Sequence, residues 1–414
     1  MAYVAIRGGE RAITAAAELL EVLRTADGGE PLEVDAIRSQ LHLLTDRVCG
    51  EGGCWHPRLA ALAIKQAAGD TFEAAFLLRA WRSTRPRLGS TVVHRGATLR
   101  LVRRISAAFK EVPGGQVLGA STDYLQRLFR YELLDEDPVA FRAAAAAWFS
   151  QHPAGDVPDT LPKVLDALRA ENLLPEPSPG EVPRAIDITR EPLTFPVARS
   201  AALATMARGE TGGLLAMAYS TMRGYGYLHP TVAELRVGYL PVMLPHPATG
   251  ELIEAGEVLI TECEIVATHG QPDSSAGGLP RLSLGYGACF GRQEVKAIAM
   301  AMCDRALQHG AEHGATHPAE DAEFVLMHID GIESMGFCSH YKLPHYVTFQ
   351  ADLENIRSSR AKATEDQSGS TSHQSGRPEG RKAPGGAASR SGSPAGTTLS
   401  EPVDAIATTT LERQ

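Results

Sequence analysis

The chain has 414 residues, a formal net charge of −9, and 43% hydrophobic against 21% charged residues. That balance belongs to a soluble globular protein long enough for more than one domain. No run of about 18 apolar residues offers a membrane span, the N-terminus lacks a basic region followed by an apolar one, and an acidic total argues against a broad nucleic-acid surface.

Six cysteines are scattered along the chain. Cys49 and Cys54 lie near each other, at a spacing unlike that of a zinc knuckle or redox pair, so free thiols in a reducing cytoplasm are expected. Ile37, Leu41, Leu44 and Val48 fall on one face of a helix. Asp70-Thr-Phe-Glu73 has capping-box-like spacing and opens a helix to about Ser83, which Pro86 stops. Between Glu73 and Glu111 there is no acidic residue, yet the stretch carries Arg79, Arg82, Arg85, Arg87, Arg95, Arg100, Arg103, Arg104 and Lys110. Such a block reads either as a surface for an anionic partner or polyphosphate, or as a solvated face with helix C-terminal cations.

An alanine-rich helix is predicted over 139–151, a proline-rich linker over 175–183, and a helical pair over 196–222 interrupted at Gly209. A β-rich part begins near Glu234. Strands over 235–244 and 257–268 are joined through the turn-rich 245–250. A helix over 292–309 is stopped by Gly310, and 324–329 reads as a buried strand. Beyond about Arg360, Ser, Gly, Ala, Thr and Pro dominate, and a disordered tail is expected. The fold class is therefore α+β. A mainly helical region (1–174) precedes a mixed helix and antiparallel-strand region (175–358), and a disordered tail (359–414) follows.

Three segments carry candidate chemistry. Gly285-Tyr286-Gly287 belongs to a glycine-rich run ending at Gly291 and entering a helix that bears Lys296. A glycine loop at a helix N-terminus suits phosphate, although the run is neither a Walker A nor a Rossmann sequence; a tight turn with Lys296 and Arg305 simply solvated is the alternative. Arg223-Gly-Tyr225-Gly226-Tyr227 places aromatic rings beside a cation, suited to a purine and phosphate or to simple burial. The third segment gathers His328, Asp330, Glu333, Cys338, His340 and His345. Pro344 keeps His340 and His345 off one regular helix face, and a turn can bring them together. Imidazoles with carboxylates suit zinc or a similar ion; solvated or core histidines are the alternative. Glu262 and Glu264 alternate on a strand and share one face. They suit a metal or base, or else simply face solvent.

Ser339-His-Tyr-Lys-Leu-Pro-His-Tyr-Val347 resembles the histidine segment of PhnI, a subunit family of the bacterial carbon–phosphorus lyase core complex. Ala61-Leu-Ala-Ile-Lys-Gln-Ala-Ala-Gly-Asp70, Pro113-Gly-Gly-Gln-Val-Leu-Gly119, Ala218-Tyr-Ser-Thr-Met-Arg-Gly-Tyr-Gly226, Thr261-Glu-Cys-Glu264 and Gly285-Tyr-Gly-Ala-Cys-Phe-Gly291 resemble successive segments of the same family. The ordered resemblance runs from about Tyr3 to about Leu353. It implies a subunit that, with its partners, displaces adenine from MgATP by an alkylphosphonate, giving ribose 1-alkylphosphonate 5-triphosphate. It also implies purine nucleosidase activity in the isolated chain. Zinc on the residues matching His340 and His345 is implied too. The implied partners are PhnG-, PhnH- and PhnJ-type subunits and an ATP-binding-cassette-like subunit. A free-standing nucleoside triphosphate N-glycosidase and a non-catalytic metal-binding scaffold are the competing readings.

Overall fold

The computed structural model describes residues 9–153, 155, 158, 160–175, 185–223, 229–268 and 279–371. Five helices come first: α1 (Glu10–Leu23), α2 (Val34–Gln40), α3 (His42–Gly52), α4 (Pro57–Gln66) and α5 (Thr71–Ser83). Strand β1 (Arg100–Ile105) follows, then helices α6 (Pro138–Gln151), α7 (Val164–Ala170), α8 (Arg199–Arg208) and α9 (Thr211–Ser220). Strands β2 (Thr231–Pro245), β3 (Leu252–Thr268) and β4 (Leu282–Phe290) precede α10 (Glu294–His313), α11 (Ala322–His328), α12 (Gly331–His340) and α13 (Tyr346–Thr371). The fold is α+β. The chain divides into two compact units, Met1–Pro344 and His345–Gln414.

The sheet is antiparallel throughout, in the order β1-β2-β3-β4. β1 comes from the helix-rich first half of the sequence and pairs with β2, so residues 1–174 and 175–358 share one sheet. Alternation along the strands separates two unlike faces. One face sends Cys263, Ile265 and Cys289 into an apolar core with Met300, Ala301 and Cys303 of α10 and Met206 and Leu214 of α8 and α9. The opposite face carries charge. Glu234 stands opposite Glu264 and Arg236 opposite Glu262, and all four are buried.

Helix α10 lies close on β4 because the strand has glycine where the helix crosses it. A Cβ on Gly285 would fall 2.1 Å from the Ala301 carbonyl oxygen, and one on Gly287 2.1 Å from that of Ala297. The sequence expectation of an open glycine loop over 285–291 is thus corrected. These glycines sit in a strand and serve close packing, and Gly291, at φ 79°, makes the turn into α10.

Several expected elements hold their places. Asp70 accepts from the Phe72 and Glu73 backbone N–H groups and caps α5. The pair α8 and α9 is interrupted at Gly209 as expected. Other expectations change. The helix expected through Ile37 and Val48 breaks at Leu41 into α2 and α3; Ile37 and Val48 are buried, while Leu41 is 45% exposed. Residues 324–329 are not a strand but lie largely in α11, whose first turn Asp321 caps through the Phe324 N–H. A short apolar run has no periodicity to separate the two states, and the cap decides. Gly310 does not stop α10. It is buried where a Cβ would strike the Glu320 carbonyl oxygen at 2.2 Å, and the helix ends before Gly314, at φ 84°. Helix α13 continues to Thr371, past the compositional change near Arg360. The linker expected over 175–183 lies, after Pro175, outside the described residues, as does the tail beyond 371.

Candidate functional site

The charged face of the sheet is built by strand alternation and roofed by the segment preceding α7. Lys163 reaches down from that segment and places its Nζ between two carboxylates, pairing with Glu262 and donating to Glu264 Oε1 at 2.6 Å. Tyr286 stands across from Glu264 on β4 and donates its hydroxyl to Glu262 Oε2 at 3.1 Å. Gly96 closes over the same carboxylate, with its missing Cβ only 2.1 Å from Glu262 Oε2. Glu262 and Glu264 are 5% and 6% exposed, so the expectation of solvent-facing strand carboxylates is corrected.

Behind this group lies a second ionic layer. Arg104 Nε donates to Glu234 Oε1 at 2.5 Å, and its other nitrogens donate to the carbonyls of Pro113, Gly115 and Pro162. Arg236 Nη2 lies 3.0 Å from Glu234 Oε1, and the guanidinium also donates to Gly96 and Leu161. Glu234 further accepts from the Val164 N–H, which ties α7 to the layer.

Burial and charge oppose each other here. Burial works against the ammonium of Lys163, but the two carboxylates outweigh it and hold its pKa above the usual lysine value. Burial pushes the Glu264 carboxyl up against the pull of Lys163. It also pushes the Tyr286 phenol well up, with Glu262 adding to the effect, so the hydroxyl stays a donor. Among the described residues Glu264 Oε2 has no hydrogen-bond partner. Such an orphaned acceptor costs about 1–3 kcal/mol, which makes the layer a candidate site rather than mere filling.

β4 is an edge strand, and its outer backbone groups are met by α10. Asp304 Oδ2 accepts from the Tyr286 N–H at 2.9 Å, and Gln308 Nε2 donates to the Leu284 carbonyl at 3.2 Å. The buried Asp304 in turn holds Arg199 through two hydrogen bonds of 3.0 and 2.7 Å. The Arg199 side chain is 48% exposed and lies in the first turn of α8. One continuous strip therefore runs from an exposed guanidinium, past the Tyr286 backbone, to buried carboxylates.

The other expected site residues are dispersed. Lys296 is 1% exposed and donates to the Ala207 carbonyl at 2.7 Å, and burial pushes its pKa down. The expectation of a lysine presented to phosphate is corrected: it sits inside a junction of helices. There Arg47 pairs with Glu51 and Glu210, and Arg79 pairs with Asp330 at 2.8 Å. Arg223 is exposed, its guanidinium carbon 5.9 Å from the Tyr219 ring centroid. Tyr225, Gly226 and Tyr227 lie outside the described residues.

Much of the acid-free basic stretch is spent internally. Arg79 meets Asp330, Arg87 meets Asp187, Arg100 meets Glu257, Arg103 meets Asp123 and Glu294, and Arg104 meets Glu234. Carboxylates distant in sequence neutralise the block, which a linear reading of charge does not show.

His340 ends α12, where its Nδ1 pairs with the Phe337 carbonyl oxygen. A carbonyl only accepts, so Nδ1 is the donor in that contact. His345 immediately precedes α13 and belongs to the second compact unit. Among the described residues no group of three or more His, Cys, Asp or Glu side chains is arranged to hold a metal.

Comparison with known proteins assigns the chain to a family. Residues 2–363 match the family described as bacterial phosphonate metabolism protein (PhnI). The chain belongs to the PhnI family. It is 46% identical over 359 residues to alpha-D-ribose 1-methylphosphonate 5-triphosphate synthase subunit PhnI of Escherichia coli, covering 86% of this chain and 97% of the relative. It is 41% identical over 373 residues to the subunit of the same name from Rhizobium meliloti, covering 89% of this chain and 97% of the relative. HtxH of Stutzerimonas stutzeri, whose name assigns it to a C-P lyase as a subunit, is 61% identical over 366 residues, 88% of this chain and 97% of the relative.

Lys163 and Arg199 were not among the site residues expected of this PhnI-family chain. Each is a lone cation just before or at the start of a short helix, and no motif marks it. The one signal was the alternation of Glu262 and Glu264, which calls for a nearby cation once that face is buried.

Proposed function

We propose that this chain is a subunit of a carbon–phosphorus lyase-type complex and, with its partners, displaces adenine from MgATP by an alkylphosphonate. The observation that carries this reading is near-full-length similarity to two proteins named as subunits of the 1-methylphosphonate 5-triphosphate synthase. In the reaction the C1′–N9 bond of ATP breaks, and its electron pair leaves on the purine. A phosphonate oxygen forms the new bond to C1′ through an oxocarbenium-like state, and the purine takes up a proton. The chain's part is to hold the sugar and phosphates in register, and Arg223 with Tyr225 and Gly226 is retained as a candidate for the purine end. When no phosphonate is present, water takes its place and the chain acts as a purine nucleosidase.

The need for partners has physical support in the surface. Neither α1 nor α6 buries a single residue, although α6 displays Phe141, Trp148 and Phe149 at 59, 56 and 69% exposure. Apolar helices of this kind are covered in an assembly. We assign that role to the other core subunits, of PhnG, PhnH and PhnJ type, and an ATP-binding-cassette-like subunit, and place the reaction in the cytoplasm. No helix among the described residues is long and apolar enough to cross a membrane.

The complex is expected to release adenine from MgATP when methylphosphonate is added. If the complete complex releases none, the transferase reading fails.

We also propose that His340 and His345 hold a zinc-like ion. What supports this is the likeness of Ser339–Val347 to the family's histidine segment and the aptness of imidazole nitrogens for zinc. Zinc bound there would supply Lewis-acid charge for a phosphorylated sugar, with its remaining positions filled by water or a partner subunit. Replacing both histidines with alanine is expected to abolish stoichiometric metal in the purified, still assembled complex. Full metal content in that double variant, measured by elemental analysis, contradicts the assignment.

A further inference from the structure

We propose that Cys49 and Cys54 are a modification site, where a low-molecular-weight disulfide of the glutathione class converts the two thiols into a reversible disulfide that staples the end of α3. The site is independent of the reaction proposed above.

The way α3 ends brings the two residues together. Gly53 takes the left-handed conformation, at φ 60°. Its N–H donates to the Gly50 carbonyl, and the Cys54 N–H donates to the Cys49 carbonyl, each at 3.1 Å. These two bonds are the Schellman arrangement. In it the residue after the left-handed glycine packs its side chain on the residue that accepts its N–H. Here those two residues are Cys54 and Cys49, and Cys54 packs against the apolar cluster that holds Cys49. One hydrogen bond between their own backbones, added to standard covalent lengths, keeps the two Cα atoms within about 7 Å, and the bend of the turn shortens that toward the span of a disulfide. The spacing in sequence is too long for a C-x-x-C pair, and it is the helix end that closes it.

The backbone around the pair is already fixed. The Glu51 carbonyl accepts from Arg79 Nε at 2.9 Å, and a Cβ on Gly52 would fall 2.9 Å from Leu78 Cδ2. Trp55, the next residue, has its ring 6.4 Å from that of Phe290. Closure therefore asks for side-chain rotation and not for a new path of the chain.

Exposure sets the order of attack. Cys49 is buried and Cys54 is partly exposed. Burial pushes the Cys49 thiol up to about 12; it also raises Cys54, against the pull of Arg82. Cys54 is thus the thiol that meets the oxidant. Its thiolate attacks one sulfur of glutathione disulfide, which forms a mixed disulfide and releases one glutathione thiolate. That thiolate takes the Cys49 proton. Cys49 Sγ then attacks Cys54 Sγ, the mixed disulfide breaks, and the second glutathione thiolate leaves. Two cysteine thiols are oxidised and one glutathione disulfide is reduced to two thiols. Cys263, Cys289 and Cys303 are enclosed in the core under α10, out of reach of the oxidant, and Cys338 is exposed on α12.

The test equilibrates the full-length chain with glutathione redox buffers, quenches with acid, alkylates in denaturant and digests with trypsin. Cys49 and Cys54 fall in one peptide, Val48 to Arg58, which holds no other cysteine. The expected product is this peptide lacking both thiol hydrogens and resistant to alkylation. Its equilibrium constant for closure is expected to be at least about tenfold higher in the folded chain than in the urea-unfolded chain, where no helix end holds the pair. Cys54→Ser is expected to leave Cys49 alkylated and without a glutathione adduct. Alkylation of both residues in the folded wild type at every redox ratio, or equal constants in folded and unfolded chain, overturns the proposal. A glutathione adduct on Cys49 in Cys54→Ser refutes the order of attack.

Discussion

Replacing Arg104 with methionine is expected to lower the stability of the folded chain by about 3–5 kcal/mol. Arg104 is fully buried, and its guanidinium satisfies Glu234 and the carbonyls of Pro113, Gly115 and Pro162 together. Methionine fills a comparable volume but leaves those acceptors in a low-dielectric layer. Arg236 still neutralises part of the Glu234 charge, which keeps the loss within that range rather than above it. Adding Glu234→Gln to Arg104→Met is expected to restore part of the stability, because the uncompensated charge is gone although the orphaned carbonyls remain. Denaturant midpoints for the wild type, the two single variants and the double variant measure both effects. A loss below about 1 kcal/mol in Arg104→Met would show that the layer is not what joins the 113–115 and 161–164 segments to the sheet.

Gly287→Ala is the second large effect. Its new Cβ would lie 2.1 Å from the Ala297 carbonyl oxygen and 2.8 Å from the Met300 Cβ. The first obstacle is backbone, so rotation of a side chain does not relieve it, and α10 has to lift from β4. Overpacking of this kind costs about 1–3 kcal/mol and more when backbone moves. The lifting also pulls Asp304 away from the Tyr286 N–H and opens the β4 edge. The expected result is a fall in the thermal midpoint together with weaker near-ultraviolet circular dichroism. By contrast, alanine at Gly250, a turn glycine with nothing within 4 Å of its missing Cβ, meets only the strain of its φ of 73°. Equal midpoints for Gly287→Ala and wild type would contradict the packing role given to the β4 glycines.

Local signals in the sequence carried most of the elements and little of the site. Asp70 before a helix, Gly209 between two helices and the alternating run that became β3 are decided by neighbours in the chain, and they read correctly. The break at Leu41 does not follow from spacing, because Ile37 and Val48 keep a helical phase across two separate helices. The β4 glycines read as a phosphate loop, since the signature of a turn and that of a close helix crossing are alike until α10 is in place. Lys296 read as an open cation for the same reason: what buries it is the junction with α3, α8 and α9, contributed by residues far away in sequence. Glu262 and Glu264 were legible as a pair on one face. That they face Lys163 rather than water depends on a segment about a hundred residues earlier. The family resemblance was legible from ordered motifs, and the match over residues 2–363 agrees with it.

The most direct measurement of the central proposal is phosphorus nuclear magnetic resonance on the complete complex incubated with MgATP and methylphosphonate. The account predicts a new phosphonate ester resonance, coupled to the anomeric ribose proton, growing in step with free adenine while the triphosphate resonances persist. Release of adenine with methylphosphonate left unesterified, or loss of the triphosphate without a C1′ ester, would contradict it.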